Sequence, residues 1–281
     1  MKVATKSPIN RIGGKYHLTG WLSQFMPGHV CYVEPFAGAA HALFSKQPAS
    51  VEVLNDIDGN LMAFFRVLKD TEKRSKLIET LEYTPYARSL WQDMRCRWKA
   101  GDLPEDEIKR TAEWFYLNRS TYGGDMQTGG FAMPSTTGRN PAQSYQSAID
   151  GLESVASRLR GVTVECLDYT ECVRRYDSET TLFYCDPPYM DTEHFYGNGF
   201  KSEDHYRLSE LLHGIKGKAM ISHYQDSLYD RLYSDFNKHE YQSFKGSHKS
   251  AGEAKPVVTE CLFANFEHFK TRRLFNAVVL E

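Results

Sequence analysis

Val30-Cys-Tyr-Val-Glu-Pro-Phe36, followed by Ala37-Gly-Ala-Ala40, is the stretch that decides the fold of this chain. The first segment has the apolar and aromatic composition of a central β-strand, and the four small residues after it predict a tight turn. A short helical pattern from His41 to Lys46 and a second strand, Ser50–Asp56, come next. This order predicts a βαβ unit, and therefore an α/β fold with a mainly parallel sheet.

The first turn and the end of the second strand have the spacing of a nucleotide-binding half. About twenty residues separate Gly38 from Asp56, and an acid at that distance can accept hydrogen bonds from both ribose hydroxyls. The turn is Gly38-Ala39-Ala40, so the G-x-G-x-x-G segment that binds a pyrophosphate is absent. The pattern favours a nucleoside without a pyrophosphate over NAD, and a tight turn of any α/β protein is the alternative.

Thr181-Leu-Phe-Tyr-Cys-Asp-Pro-Pro-Tyr189 predicts a buried strand that stops at an acid and two prolines. Proline donates no hydrogen bond and restricts the residue before it, so the backbone must leave the sheet at Pro187. The Asp186 carboxylate and the Tyr189 ring then lie at the carboxyl end of the strand. Ligands of open α/β sheets bind at that edge.

Residues 61–160 have a different character from the rest of the chain. Four helical patterns follow one another, at 61–69, 72–81, 85–98 and 104–117, and their apolar residues recur at i, i+3 and i+4. A glycine-rich loop or irregular hairpin at 118–131 and one helix at 143–160 are expected next. The prediction is a cofactor half at 1–60, an inserted helical subdomain at 61–160 and a catalytic half at 161–281.

The last third of the chain returns to alternating strands and helices. Strands are expected at 162–168, 181–185, 218–222, 239–244 and 257–266, and helices at 170–176, 203–213 and 225–233. The segments 190–200 and 245–255 are expected to be loops. No helix joins the last two strands, so one of them should run antiparallel to its neighbours. The sequence also predicts a helix at 16–26.

Composition narrows the class of protein. Hydrophobic residues make up 41% and charged residues 25% of the 281 residues, as in ordinary globular proteins. No signal peptide or membrane-spanning run is seen, and a cytoplasmic location is expected. Six cysteines without a C-x-x-C pair indicate neither a zinc site nor disulfide bonds. The net charge of -2 does not by itself indicate a nucleic-acid-binding protein.

Six motifs follow one another along the chain: Arg11-Ile-Gly-Gly-Lys15, Val33-Glu-Pro-Phe-Ala-Gly38, Asn55-Asp-Ile-Asp58, Asn118-Arg119 with Gly124, Asp168-Tyr169 and Asp186-Pro-Pro-Tyr189. In residues and in order they closely resemble the motifs of the Dam-like family of DNA adenine-N6 methyltransferases. This resemblance implies S-adenosylmethionine (AdoMet) as methyl donor. It also implies a Rossmann-like sheet of seven strands, mainly parallel with an antiparallel last strand, with a helical inserted subdomain that recognises DNA.

The resemblance assigns the cofactor site residue by residue. The residues implied are Arg11, Lys15, Glu34, Pro35, Phe36, Ala37, Gly38, Asp56, Asp168, Tyr169 and Asp186. Lys15 and the turn should lie around the methionine part, Asp56 should hold the ribose, and Asp168 with Tyr169 should border the adenine. The alternatives are that Phe36 and Tyr169 are core aromatics, Asp168 caps a helix and Lys15 is a solvated helix residue.

The catalytic motif is Asp186, Pro187, Pro188 and Tyr189. The Asp186 carboxylate and the Pro187 carbonyl can accept the two hydrogens of an exocyclic amino group and direct its lone pair at the methyl group. The target base has to be flipped out of the duplex, and Tyr189 is expected to stack on it. The loop of residues 191–200 could close over the base. Cys185 is expected to face the core and not to act as a nucleophile.

Recognition of double-stranded DNA is expected from Asn118, Arg119, Tyr122, Gly124 and Gln127. Asp125-Met-Gln-Thr stands where GATC-specific members have Arg-x-Asn, so specificity for GATC is not expected. An N4-cytosine methyltransferase, or an inactive AdoMet- and DNA-binding protein of the same fold, are the alternative functions. The resemblance further implies a bacterial or phage-encoded, nucleoid-associated enzyme, a monomer or weak dimer, with a cognate restriction endonuclease as an optional partner.

Overall fold

The computed structural model describes residues 5–11, 13–190, 193, 199–244 and 256–267. The predicted hairpin loop of residues 245–255 lies outside the described residues. So does most of the loop of residues 191–200 that was expected to close over the target base.

A seven-stranded sheet forms the centre of the molecule. Its strands are β1 (Cys31–Glu34), β2 (Val51–Asn55), β3 (Val162–Glu165), β4 (Thr181–Cys185), β5 (Lys218–Tyr224), β6 (Asn237–Phe244) and β7 (Val257–Ala264), in the order β3-β2-β1-β4-β5-β7-β6. Strands β1 to β5 are parallel, and β7 is antiparallel to both β5 and β6. The predicted mainly parallel sheet with an antiparallel last strand is confirmed.

The register of β1 explains where a ligand can bind. Glu34 at the end of β1 pairs with Leu54 of β2, and Val33 pairs with Phe183 of β4 on the other side. The chain thus leaves β1 towards one neighbour and returns later to the other. This reversal of strand order opens a crevice at the carboxyl ends of the strands.

Eleven α-helices lie in the described part of the chain. They are α1 (Thr19–Leu22), α2 (His41–Ser45), α3 (Gly59–Lys69), α4 (Thr71–Glu82), α5 (Arg88–Lys99), α6 (Glu107–Ser120), α7 (Pro141–Asp150), α8 (Leu152–Leu159), α9 (Tyr169–Tyr176), α10 (Ser202–His213) and α11 (Ser227–Leu232). Among these residues no helix is long and apolar enough to cross a membrane.

Two of the predicted helices are not single continuous helices in the structure. The expected helix at 16–26 is a 3-10 turn, Tyr16–Leu18, and the four-residue α1. The Ser23 hydroxyl and the Gln24 amide both donate to the Gly20 carbonyl, which competes with continuation of the helix. The expected single helix at 143–160 is divided at Gly151 into α7 and α8, since glycine is a poor helix former.

Helices cover both faces of the sheet. Buried residues of α3 to α8, such as Phe64 and Phe115, belong to the same apolar cluster as Tyr32 and Leu182 of the sheet. The other face carries α9, α10 and α11, packed on alternate strand residues such as Phe183 and the buried Cys185. The helical block therefore packs on the sheet that bears the crevice. The proposed division at residues 60 and 160 stays a prediction.

Candidate active site

A cavity of about 350 Å³ opens at the carboxyl ends of the central strands. All the residues that the sequence implied for cofactor binding line it, namely Arg11, Lys15, Glu34, Pro35, Phe36, Ala37, Gly38, Asp56, Asp168, Tyr169 and Asp186. Asp186 and Pro188 of the catalytic motif are also in its wall. The fold therefore brings the two halves of the predicted site to one cavity.

Asn55 joins three strand ends beneath this cavity. Its buried side chain donates to the carbonyls of Pro35 and Leu167, both at 3.0 Å, and accepts from Leu167 N at 2.8 Å. The turn after β1 and the segment after β3 are thus held to the end of β2. Sequence reasoning assigned no role to Asn55, although a polar residue in an otherwise apolar strand was an available signal.

Asp56 shapes the turn after β1. Its Oδ2 accepts from Gly38 N and its Oδ1 accepts from Asp58 N, each at 3.0 Å. Gly38 has a φ of +47° and Ala40 a φ of +53°, a left-handed geometry that costs a residue with a side chain about 1–2 kcal/mol. Burial raises the pKa of Asp56. Each carboxylate oxygen still has a lone pair for a further donor.

Three aromatic rings form one wall of the cavity. The Phe36 and Tyr169 ring centroids lie 5.2 Å apart, and the Phe200 centroid is 5.8 Å from each. The Tyr169 hydroxyl donates to Asp204 at 3.1 Å. The three rings pack against one another and also line the cavity. They can therefore border the planar ring of a ligand. Asp168 also caps α9 by accepting from Thr170 N at 2.9 Å, which was the alternative considered for it.

Lys15 and Asp186 meet in another part of the cavity wall. The Lys15 ammonium lies 3.1 Å from Oδ1 of Asp186, donates to the Gly13 carbonyl at 3.0 Å and lies 4.4 Å from the Tyr189 ring centroid. Lys15 is only 6% exposed. The alternative that it is a solvated helix residue is therefore wrong, because its charge is paired within the site.

Buried side chains of β5 and β7 fix the position of the Tyr189 ring. Its hydroxyl donates to Glu260 Oε2 at 3.0 Å, and its ring centroid lies 4.5 Å from that of His223. The ring is 6% exposed, and among the described residues that line the cavity neither Tyr189 nor Pro187 is found. Stacking of a flipped base on Tyr189 stays a prediction.

The residues predicted to bind DNA divide into two groups. The fully buried Asn118 exchanges two hydrogen bonds with the Asn10 backbone, at 2.9 and 2.7 Å. The Arg119 guanidinium donates to Asn10 Oδ1 at 2.7 Å and to the Ser144 carbonyl at 2.9 Å. Both lie on the last turn of α6, which continues three residues beyond its predicted end. These side chains join α6 to the N-terminal segment, and DNA contact by them stays untested.

The second group surrounds the glycine-rich loop. Gly124 is buried against the Asn10 carbonyl, whereas Tyr122 is 45% exposed and Gln127 is also exposed. Two arginines flank this loop, with the Arg139 guanidinium 5.3 Å from the Tyr122 ring centroid and that of Arg88 5.2 Å from the Phe131 ring centroid. Sequence reasoning did not select Arg88 or Arg139, because nothing local links them to the loop.

The buried Glu34 carboxyl should make the free energy of unfolding depend on pH. Burial raises its pKa from an ordinary value of 4.5 to about 8, against an opposing hydrogen bond from the Tyr32 hydroxyl. Between these values the folded chain retains a proton that the unfolded chain has lost. This stabilising contribution is full below about pH 4.5 and is lost as pH rises through about 8.

We therefore expect Glu34→Gln to remove this dependence. Relative to the variant, the unliganded wild-type protein should lose unfolding free energy on the order of 3 kcal/mol between about pH 5 and about pH 8, since one pKa unit corresponds to about 1.4 kcal/mol. Urea unfolding of both proteins across this range is the measurement. Parallel pH curves for the two proteins would contradict the raised pKa.

Comparison with known proteins agrees with this geometry. Residues 12–246 match the family model for the D12 class N6 adenine-specific DNA methyltransferases. A protein of Lactococcus lactis subsp. cremoris named Type II methyltransferase M1.LlaDCHI is 25% identical over 271 residues, 90% of this chain and 93% of its own length. The DNA adenine methylase of Escherichia coli (strain K12) is 26% identical over 264 residues, 87% of this chain and 90% of its own.

A shorter match links the chain to a DNA adenine methylase of Vibrio cholerae serotype O1 (strain ATCC 39541 / Classical Ogawa 395 / O395), 28% identical over 211 residues, 71% of this chain and 73% of its own. The resemblance seen in the motifs and the expected activity, methylation of adenine in DNA, are confirmed by these matches. The family match, residues 12–246, includes all the residues that line the cavity except Arg11. This chain belongs to the D12 class of N6 adenine-specific DNA methyltransferases.

Proposed function

We propose that this protein transfers a methyl group from AdoMet to N6 of an adenine flipped out of double-stranded DNA. The observation that carries the proposal is the continuity of one cavity from the aromatic wall at Phe36 and Tyr169 to the Asp186 carboxylate. A donor bound along this cavity brings its reactive end to the residue that would hold the target amino group.

The chemistry of the cavity fits AdoMet. Asp56, fixed by two backbone donors, is available for the ribose hydroxyls, and the rings of Phe36 and Tyr169 are available for the adenine. The carboxylates of Asp56 and Asp186 complement a ligand that carries positive charge. When bound, AdoMet would supply an electrophilic methyl group on a sulfonium.

Asp186 is the acceptor for the target amino group in this proposal. Its carboxylate accepts one amino hydrogen, and the Pro187 carbonyl accepts the other. Both acceptors lie where two prolines take the backbone out of β4, so little reorganisation is needed during the reaction. With both hydrogens held, the nitrogen lone pair is directed at the methyl group. Tyr189 would support the base from the side of Lys15.

We further propose that the DNA-facing surface consists of Tyr122, Gln127, Arg88 and Arg139. These four side chains are exposed around the glycine-rich loop, and the two arginines can meet phosphates or guanine. The buried Asn118 and the partly buried Arg119 would act indirectly, by holding this loop to the N-terminal segment. Specificity of this surface for GATC is not expected.

Arg139→Ala is expected to weaken DNA binding at all sequences. Loss of one phosphate contact should lower the slope of log affinity against log salt by about 1. Fluorescence anisotropy with a labelled duplex between about 50 and about 200 mM salt measures both quantities. The control is Arg175→Ala on α9, which removes an arginine that is 51% exposed and paired with Glu171. An unchanged slope in Arg139→Ala would contradict this surface.

The proposed activity is tested by incubating the purified protein with labelled AdoMet and duplex DNA, then digesting the DNA to nucleosides. N6-methyladenine is the expected product. N4-methylcytosine would favour the alternative methyltransferase, and AdoMet binding without incorporation would favour the inactive protein. Modified-base sequencing of DNA from cells that express the protein then identifies the site.

We also propose a cytoplasmic enzyme that acts as a monomer or weak dimer, with a cognate restriction endonuclease as an optional partner.

A further inference from the structure

A buried hydroxyl on β5 contacts the carboxylate of the catalytic motif. Pairing of Cys185 with Ile221 places the next residues of both strands, Asp186 and Ser222, side by side. Ser222 is 2% exposed, and its Oγ lies 2.8 Å from Asp186 Oδ1. The hydroxyl oxygen of Tyr184 lies 3.2 Å from the same Oγ.

The protons available on these three side chains fix which of them donates each hydrogen bond. A carboxylate only accepts hydrogen bonds, so Ser222 has to donate its single proton to Asp186. Tyr184 then has to donate to Ser222. Burial raises the pKa of Tyr184 well above its ordinary value, so the phenol keeps the proton that it donates. The chain of donors therefore runs from Tyr184 through Ser222 to Asp186, with each hydroxyl already polarised by the previous one.

Among the described residues, both polar contacts of the Asp186 carboxylate are to the same oxygen. Ser222 Oγ is 2.8 Å and the Lys15 ammonium 3.1 Å from Oδ1. Within the described parts of the chain, no hydrogen bond or ion pair to Oδ2 is found. Because a carboxylate is planar, two contacts on Oδ1 restrict its rotation about the Cβ–Cγ bond. Oδ2 then keeps a constant orientation.

We propose that Ser222 is a positioning residue, which holds Oδ1 of Asp186 so that Oδ2 accepts the amino hydrogen of the target base. This inference rests on the proposed function, because it needs Asp186 as the acceptor. Ser222 does not contact the base or the methyl donor and acts only through Asp186. Lys15 alone cannot supply the same constraint, since an ammonium is a point charge without a preferred direction at the carboxylate.

The test compares Ser222→Ala, Ser222→Thr and Tyr184→Phe with wild type in single-turnover methylation at saturating AdoMet and DNA. Ser222→Ala should slow methyl transfer by about 10- to 100-fold, in line with the loss of one preorganised donor. Its dissociation constants for AdoMet and DNA should stay within about threefold of wild type. Ser222→Thr keeps the hydroxyl and should restore the rate to within about threefold. Tyr184→Phe removes only the polarising donor and should have a smaller effect than Ser222→Ala.

Ser209→Ala is the matched control, because Ser209 is another buried serine, on α10, whose hydroxyl donates to the Leu232 carbonyl at 3.1 Å. It should leave the methylation rate at the wild-type value. A Ser222→Ala rate equal to wild type would overturn the inference. The inference would also be overturned if Ser222→Ala lowered the rate, the AdoMet affinity and the melting temperature together and Ser222→Thr restored none of them. That result would indicate a merely structural role. If wild type itself transfers no methyl group to adenine, the proposed function fails instead.

Discussion

Asp186→Ala is expected to abolish detectable methyl transfer, a loss of at least about 10³-fold in the single-turnover rate. The substitution removes the acceptor that holds the target amino group at the end of β4. The remaining Pro187 carbonyl can accept one hydrogen only, so the lone pair is no longer directed at the methyl group. Labelled AdoMet and a duplex that contains the recognised site measure the rate.

AdoMet binding should persist in this variant, because Phe36, Asp56 and Tyr169 lie at other parts of the cavity. Isothermal titration measures the affinity. Asp186→Asn is the second variant, since asparagine has the shape of aspartate. It therefore leaves no cavity beside the buried Lys15, as alanine would. It should be as inactive as alanine, because Ser222 and Lys15 both donate to the Oδ1 position and so hold the amide oxygen there, which leaves the donating amide nitrogen where the reaction needs an acceptor. Unchanged turnover in either variant would refute Asp186 as the amino-group acceptor.

Gly124→Ala is expected to be the most destabilising single methyl addition in the glycine-rich loop. A Cβ at this position would lie 2.4 Å from the Asn10 carbonyl oxygen, and the φ of +71° disfavours any side chain. The clash and the backbone strain together should cost on the order of 3 to 5 kcal/mol of unfolding free energy. Chemical unfolding measures this loss. DNA affinity should fall with it, because the loop between Tyr122 and Gln127 can no longer pack on the N-terminal segment.

Gly123→Ala separates strain from steric clash. Gly123 has nearly the same φ, +68°, but a Cβ there meets no atom within 4 Å. The neighbouring substitution should therefore cost only about 1 to 2 kcal/mol. Equal unfolding free energies for the two variants would contradict the predicted clash between a Cβ at position 124 and the Asn10 carbonyl.

Strand direction was predictable because it follows from local patterns and general topological rules. The βαβ unit from Val30 to Asp56 required parallel neighbours, and two strands without a helix between them required an antiparallel one. The parallel and antiparallel pairs found in the sheet agree with this reasoning. Helix ends were less predictable, as the short α1 shows, because two side chains that bond to Gly20 compete with the helix there.

The hydrogen-bond partners of Asn118 and Arg119 were not predictable in the same way. Both belong to a family motif, and polar side chains next to a glycine-rich segment favoured contact with DNA. In the structure they hold Asn10, which is 108 positions away from Asn118 in the chain. No local pattern records such a partner, because hydrogen bonds to a distant backbone leave no periodicity in the sequence. The same holds for Asn55 beneath the cavity and for Glu260 beneath Tyr189.

The sequence by itself determined the α/β class, the place where the chain leaves the sheet at Asp186 and the residues that could form a nucleoside site. These properties depend on neighbours in the chain: side-chain periodicity, proline geometry and the spacing of acids after strands. Tertiary structure alone decided that Lys15 is buried beside Asp186 and that Ser222 bonds to the same carboxylate oxygen. Such contacts depend on strand register and on packing between distant segments, and these are set by the free energy of the whole fold.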